Sequence, residues 1–108
     1  MDVSVIDRLA ALIAARRAAK ADGSYTRQLL DAGTAKCAKK LGEEATETVI
    51  AALAENDEAL ANEAADLLYH LLVLLESRRV GLDRVLTKLE GRMGTSGIAE
   101  KAGRSTQG

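Results

Sequence analysis

The residues of this chain best suited to chemistry fall into two acidic groups, Glu43-Glu44-Ala45-Thr46-Glu47 and Glu63-Ala64-Ala65-Asp66. Each holds a pair at i, i+3, a spacing that makes side chains neighbours on one helix face. Glu44 with Glu47, and Glu63 with Asp66, converge if the two helices that carry them pack antiparallel. Ionised carboxylates brought together repel and raise one another's pKa. A divalent cation removes that repulsion, and an all-oxygen ligand set suits Mg²⁺ or Mn²⁺ rather than zinc. The alternative is a solvated face, the ordinary place of helix glutamates. It fits Glu43 and Glu47, which have Lys39 and Lys40 within pairing reach. It fits Glu63 and Asp66 less well. They share a side with Leu67, His70 and Leu74, where an uncompensated charge is costly.

Other metals find poorer support. A di-iron bundle site uses Glu-x-x-His on two helices. The single histidine, His70, follows Asp66 by four residues and has no Glu three before it. One cysteine and one histidine do not build a usual zinc site. Upstream, Lys36 and Lys40 lie one turn apart on the side of Glu43 and Glu47. Such a stripe suits a phosphate–metal substrate, with lysines on phosphate oxygens and carboxylates on the bridging ion. An ordinary mixed-charge helix surface accounts for the same pattern.

These residues must be positioned by helices. Proline is absent, aromatics are 2%, and alanine and leucine dominate the apolar set, which favours helices over sheets. Apolar spacing predicts helices over about 4–21, 34–54, 58–79 and 82–93, with a short helical element at 24–33 capped by Ser24 or Thr26. Asp22-Gly23, Gly33, Asn56-Asp57 and Gly81 are the expected breaks. In the third helix Cys37, Ala38, Leu41, Ala45, Val49 and Ala52 form the predicted core face. Gly42 inside it suggests close approach by a backbone or ligand, or simple tolerance. The run from 67 to 75 is apolar on nearly every side, and such a helix is buried on every side. A chain of 108 residues has few helices to surround it, so a second copy is the natural supplier. The expectation is an all-α protein, a four- to five-helix bundle of antiparallel helices completed by homodimerisation. Residues 1–93 would form its single domain and 94–108 a flexible tail.

Charge and cysteine usage narrow the setting. The formal net charge is −1, so no basic field draws the chain to nucleic acid or acidic lipid. No apolar run approaches the ~20 residues of a membrane span. The N-terminal residues do not read as a secretory signal, and the lone Cys37 fits a reducing compartment. A cytoplasmic protein without nucleic-acid or membrane partners is expected.

The motifs taken together carry a family resemblance. Ser24-Tyr25-Thr26, Leu29-Leu30, Gly33, Lys36, Lys40, Gly42-Glu43-Glu44-Ala45, Glu47 and then Glu63-x-x-Asp66-Leu67-Leu68-Tyr69-His70 resemble the phosphoribosyl-ATP pyrophosphatase family. That family is a branch of the all-α NTP pyrophosphatase (MazG-like) superfamily. The likeness spans about residues 5–92. The acidic pattern points to the superfamily, and the segments around Tyr25 and Tyr69 point to the branch.

The resemblance implies Mg²⁺-dependent hydrolysis of 1-(5-phosphoribosyl)-ATP to 1-(5-phosphoribosyl)-AMP and pyrophosphate, the second step of histidine biosynthesis. It implies Glu44, Glu47, Glu63 and Asp66 as metal ligands, with Mn²⁺ a possible substitute for Mg²⁺. Glu43, Glu44 and Glu47 are the implied catalytic set, Glu43 orienting or deprotonating the attacking water or supporting the ligands. Lys36 and Lys40 would hold phosphate oxygens, with Lys39 and Arg27 as weaker candidates. His70 would bond a carboxylate or phosphate, or serve as a core histidine. Tyr25 and Tyr69 would pack near the base or fill a dimer core. Two other readings stay open: a relative that acts on another nucleotide such as dCTP, and a non-enzymatic helical dimerisation module.

Overall fold

The computed structural model describes residues 4–18 and 24–94. Among these the chain forms five helices and no strand: α1 (Ser4–Ala18), α2 (Tyr25–Ala32), α3 (Thr34–Ala54), α4 (Asp57–Ser77) and α5 (Leu82–Met93). Local chemistry sets the ends. The Ser24 hydroxyl accepts the Arg27 N–H at 3.1 Å and starts α2. Gly33 follows with φ +99°, a value other residues reach only with strain, and turns the chain directly into α3. Asn56 caps α4 by accepting the Ala59 N–H at 2.9 Å. Asp57 and Glu58 in the first turn complement the helix dipole.

The α3–α4 hairpin is the most extensive packing in the fold. Its register is pinned at both ends. The Thr34 and Ser77 hydroxyls lie 2.9 Å apart near the open end. Nearer the turn, Thr48 Oγ1 lies 3.2 Å from the Glu63 carbonyl oxygen. Helix α1 is tied to the far end of α4 by Arg17, whose Nε sits 2.6 Å from Glu76 Oε2 and whose Nη2 donates to the Glu76 carbonyl. The buried core joins Ile13, Leu29, Cys37, Leu72 and Val73. The Cys37 thiol donates to the Leu29 carbonyl at 3.3 Å. Helix α5 packs more loosely than the others.

Several boundaries and faces differ from expectation. Helix α4 runs 57–77 rather than 58–79, and it ends in backbone bonds rather than at Gly81. Arg79 N–H reaches the Glu76 carbonyl and Val80 N–H the Leu75 carbonyl, both at 2.9 Å. Arg79 holds the left-handed position at φ +56°. The core stripe of α3 is Cys37 and Ala51, with Leu41 and Ala45 half-buried. Ala38, Val49 and Ala52 are exposed, because α4 covers only one side of α3 and no described residue covers this other side. Gly42 has nothing within 4 Å of an added Cβ among the described residues, so no described backbone approaches it closely. Within the single chain the apolar run of α4 is covered in part, with His70, Leu72 and Val73 buried and Leu68 47% exposed; the expected enclosure called for a second copy. The predicted end of α1 at 21, the Asp22-Gly23 turn and the tail from 95 onward lie outside the described residues.

Candidate metal and phosphate site

The antiparallel register brings the middle of α3 against the first half of α4. Thr48 Oγ1 lies 2.8 Å from the Glu44 carbonyl and 3.2 Å from the Glu63 carbonyl. One hydroxyl hydrogen is therefore shared between the helices at this level. Beside it, ligand oxygens of Glu44, Glu63 and Asp66 all lie within 4.8 Å of one another. Glu44 and Glu63 are half-buried, and Asp66 opens to solvent. Glu44 Oε1 and Glu63 Oε1 are buried and lack a hydrogen-bond partner among the described residues. A carboxylate oxygen in that state is costly unless a cation or donor meets it. Burial lifts the Glu63 pKa above the usual carboxylate range, and the neighbouring Glu47, then Glu44 and Asp66, add to the rise. Two unpartnered oxygens inside an all-carboxylate trio are what a hard divalent ion would satisfy.

Of the four expected ligands, three form this group. Glu47 is exposed and stands next to Glu63, outside the trio. Glu43 is turned away into an ion pair with Lys40, 3.1 Å from Oε1 to Nζ. That bond holds the Glu43 carboxyl below its usual range and raises the Lys40 pKa.

Lys36 and Lys40 share a cavity of about 290 Å³ with Tyr25, Gln28, Leu29 and Ala32. Lys39 is exposed and does not line it. Arg27 is not brought to this cavity. Its Nε bonds Asp31 Oδ1 at 2.9 Å and its Nη1 reaches the Arg17 carbonyl at 3.4 Å, so it ties α2 to α1. Tyr25, 49% exposed in the single chain, is a wall of this cavity. It stacks on Tyr69 with ring centroids 6.4 Å apart. Tyr69 in turn hydrogen-bonds Thr26, which fastens α2 to α4. His70 meets both rings edge-on at 4.9 and 6.0 Å. It is 5% exposed, its Nδ1 has no partner among the described residues, and burial holds its pKa below the usual value.

Residue reasoning missed Thr48 and Gln28, and it gave Thr26 only a capping role. The Thr26–Tyr69 bond had a visible trace in the two tyrosine-bearing segments; Thr48 had none. Among the described residues no helix is long and apolar enough to cross a membrane.

A sequence profile of the family described as Phosphoribosyl-ATP pyrophosphohydrolase matches residues 6–93. Relatives called phosphoribosyl-ATP pyrophosphatase are similar over nearly their whole length. One from Cereibacter sphaeroides is 56% identical over 102 residues, covering 94% of this chain and 99% of that protein. One from Erythrobacter litoralis is 56% identical over 102 residues, 94% of this chain and 98% of its own. One from Caulobacter vibrioides is 58% identical over 101 residues, 94% of each chain.

Proposed function

The chain belongs to the phosphoribosyl-ATP pyrophosphohydrolase family, and from that membership we propose that it hydrolyses 1-(5-phosphoribosyl)-ATP to 1-(5-phosphoribosyl)-AMP and pyrophosphate. It is a hydrolase acting on a phosphoanhydride, and the reaction is the second step of histidine biosynthesis. The observation that carries the chemistry is the pair of unpartnered buried oxygens, Glu44 Oε1 and Glu63 Oε1, in a carboxylate trio 4.8 Å across or less.

Glu44, Glu63 and Asp66 would hold a divalent ion, with Glu47 beside them as the fourth acidic group. The all-oxygen set supports Mg²⁺, with Mn²⁺ as a substitute. When bound, such an ion neutralises phosphate oxygens and lowers the pKa of a coordinated water. Lys40 and Lys36 receive phosphate oxygens at the other end of the site. Glu43 aims the Lys40 ammonium through their 3.1 Å ion pair. Its lowered pKa makes it a weak proton acceptor and suits it to orientation. Tyr25 presents an aromatic wall to the nucleotide. His70 fixes that wall from behind and keeps one ring nitrogen free for a hydrogen bond.

Homodimerisation belongs to the same reading. Leu53 is 82% and Val49 57% exposed, and both lie on the α3 face that the described residues leave bare. Leu68 adds to the apolar surface on α4. Apolar area of this kind marks association, and a second copy is the occupant proposed. Sedimentation of the full chain as a monomer at working concentration would overturn it. A cytoplasmic setting fits the buried free thiol of Cys37.

Substitution tests the enzymatic reading. Asp66→Asn and Glu44→Gln should each reduce pyrophosphate release from phosphoribosyl-ATP to background in Mg²⁺, with helical circular dichroism unchanged. Turnover at the parent rate in both variants, or equal release from plain ATP by the parent, would refute it.

A further inference from the structure

We propose a second anion site, at the corner where α4 turns into α5, that takes a phosphate-bearing ligand. A hollow of about 360 Å³ is lined there by Arg78, Val80, Arg84, Val85 and Lys88. Three of the five lining residues are cations and none is acidic. No side-chain ion pair or hydrogen bond joins Arg78, Arg84 or Lys88 to another described residue.

Two nearby acids among the described residues, Glu76 and Asp83, do not line the hollow. Glu76 pairs with Arg17. Asp83 folds back over Gly81 and, with Glu76, lines a different hollow between α1 and α4. Cations that share a hollow without a counter-charge repel, and guanidinium forks match phosphate oxygens. Val80 and Val85 supply an apolar floor on which a sugar or base can rest.

The turn is built rather than loose. Arg78 N–H bonds the Leu75 carbonyl at 3.1 Å, and the following two residues bond back at 2.9 Å each. Arg79, beside the hollow, occupies a left-handed position where glycine would be the cheaper choice. The chain thus keeps a cation where the backbone would favour none. The hollow is separate from the carboxylate trio: Arg78, at the C-cap of α4, stands twelve positions beyond Asp66, roughly 18 Å along the helix axis. The proposal does not depend on the enzymatic reading.

Calorimetric titration of the full chain tests it, without divalent ions and at about 0.15 M salt, where free surface charges are screened beyond ~8 Å. Inorganic pyrophosphate and AMP are the two probes. With Lys36→Gln/Lys40→Gln present in every protein compared, so that the lysine cavity between α2 and α3 does not contribute, saturable binding of either is expected, weakened at least tenfold when Arg84→Gln/Lys88→Gln is added. Tighter binding of AMP would assign the ligand to nucleotides, and tighter binding of pyrophosphate to inorganic phosphates. No binding of either probe would overturn the proposal, as would undiminished binding on that addition. Both added substitutions are on an exposed helix face, and a matching melting temperature confirms that the variant is folded.

Discussion

Replacing Glu63 with Gln separates a metal site from surface decoration through stability alone. In metal-free buffer the variant loses one of three carboxylates lying within 4.8 Å of one another. The new amide can donate to the partnerless Glu44 Oε1. It should therefore melt no lower than the parent. An ion bound only by the folded chain stabilises it by RT ln(1 + [L]/Kd), about 2.7 kcal/mol at 100 times Kd. In a domain of this size that raises Tm by roughly 10–20 °C. Losing one carboxylate ligand and weakening binding about 100-fold would leave about 0.4 kcal/mol, or roughly 2–3 °C. The assay is a thermal melt of parent and variant in Mg²⁺, against NaCl at matched ionic strength. An equal Mg²⁺ shift in both proteins, or an equal shift in NaCl, would refute the reasoning, because the stabilisation would then be ionic screening and not a site.

Two titrating groups should give opposite pH signatures in metal-free melts. Burial and Glu47 hold the folded pKa of Glu63 above its ordinary 4.5. The folded state then binds that proton more tightly. Its contribution is fully present below pH 4.5 and is lost as pH rises through the raised pKa. Saturating Mg²⁺ should reverse that trend, and Glu63→Gln should remove it. Burial holds His70 below its ordinary 6.5, so its contribution is present above pH 6.5 and lost as pH falls through the lowered pKa. His70→Gln should remove that acid-side loss; an unchanged profile would count against a buried neutral imidazole. Gly42→Ala adds a methyl group to open space inside α3. It should stabilise the chain by about 0.5–1 kcal/mol, raising Tm by several degrees, and a loss instead would show that something packs against that position.

The helices themselves were legible in the residues. Alanine and leucine at helical spacing, Ser24 as a cap, and Gly33 and Asn56-Asp57 as breaks are local signals. They placed α3 at both of its ends and α5 likewise. The acidic pairs were legible for the same reason, since i, i+3 spacing alone puts two side chains on one face. What one helix faces across the gap is a different kind of fact. The axial register of α3 on α4 put Glu44 with Glu63 and Asp66, left Glu47 beside the trio, and made Thr48 the shared hydrogen-bond donor. Rotation about the α3 axis buried Ala51 and left Val49 outside. Competition among partners sent Glu43 to Lys40 and Arg27 to Asp31. Helical period is set by backbone geometry residue by residue, so it is written along the chain. Register and rotation between helices are set by side-chain packing between residues far apart in sequence, and only the folded chain decides them.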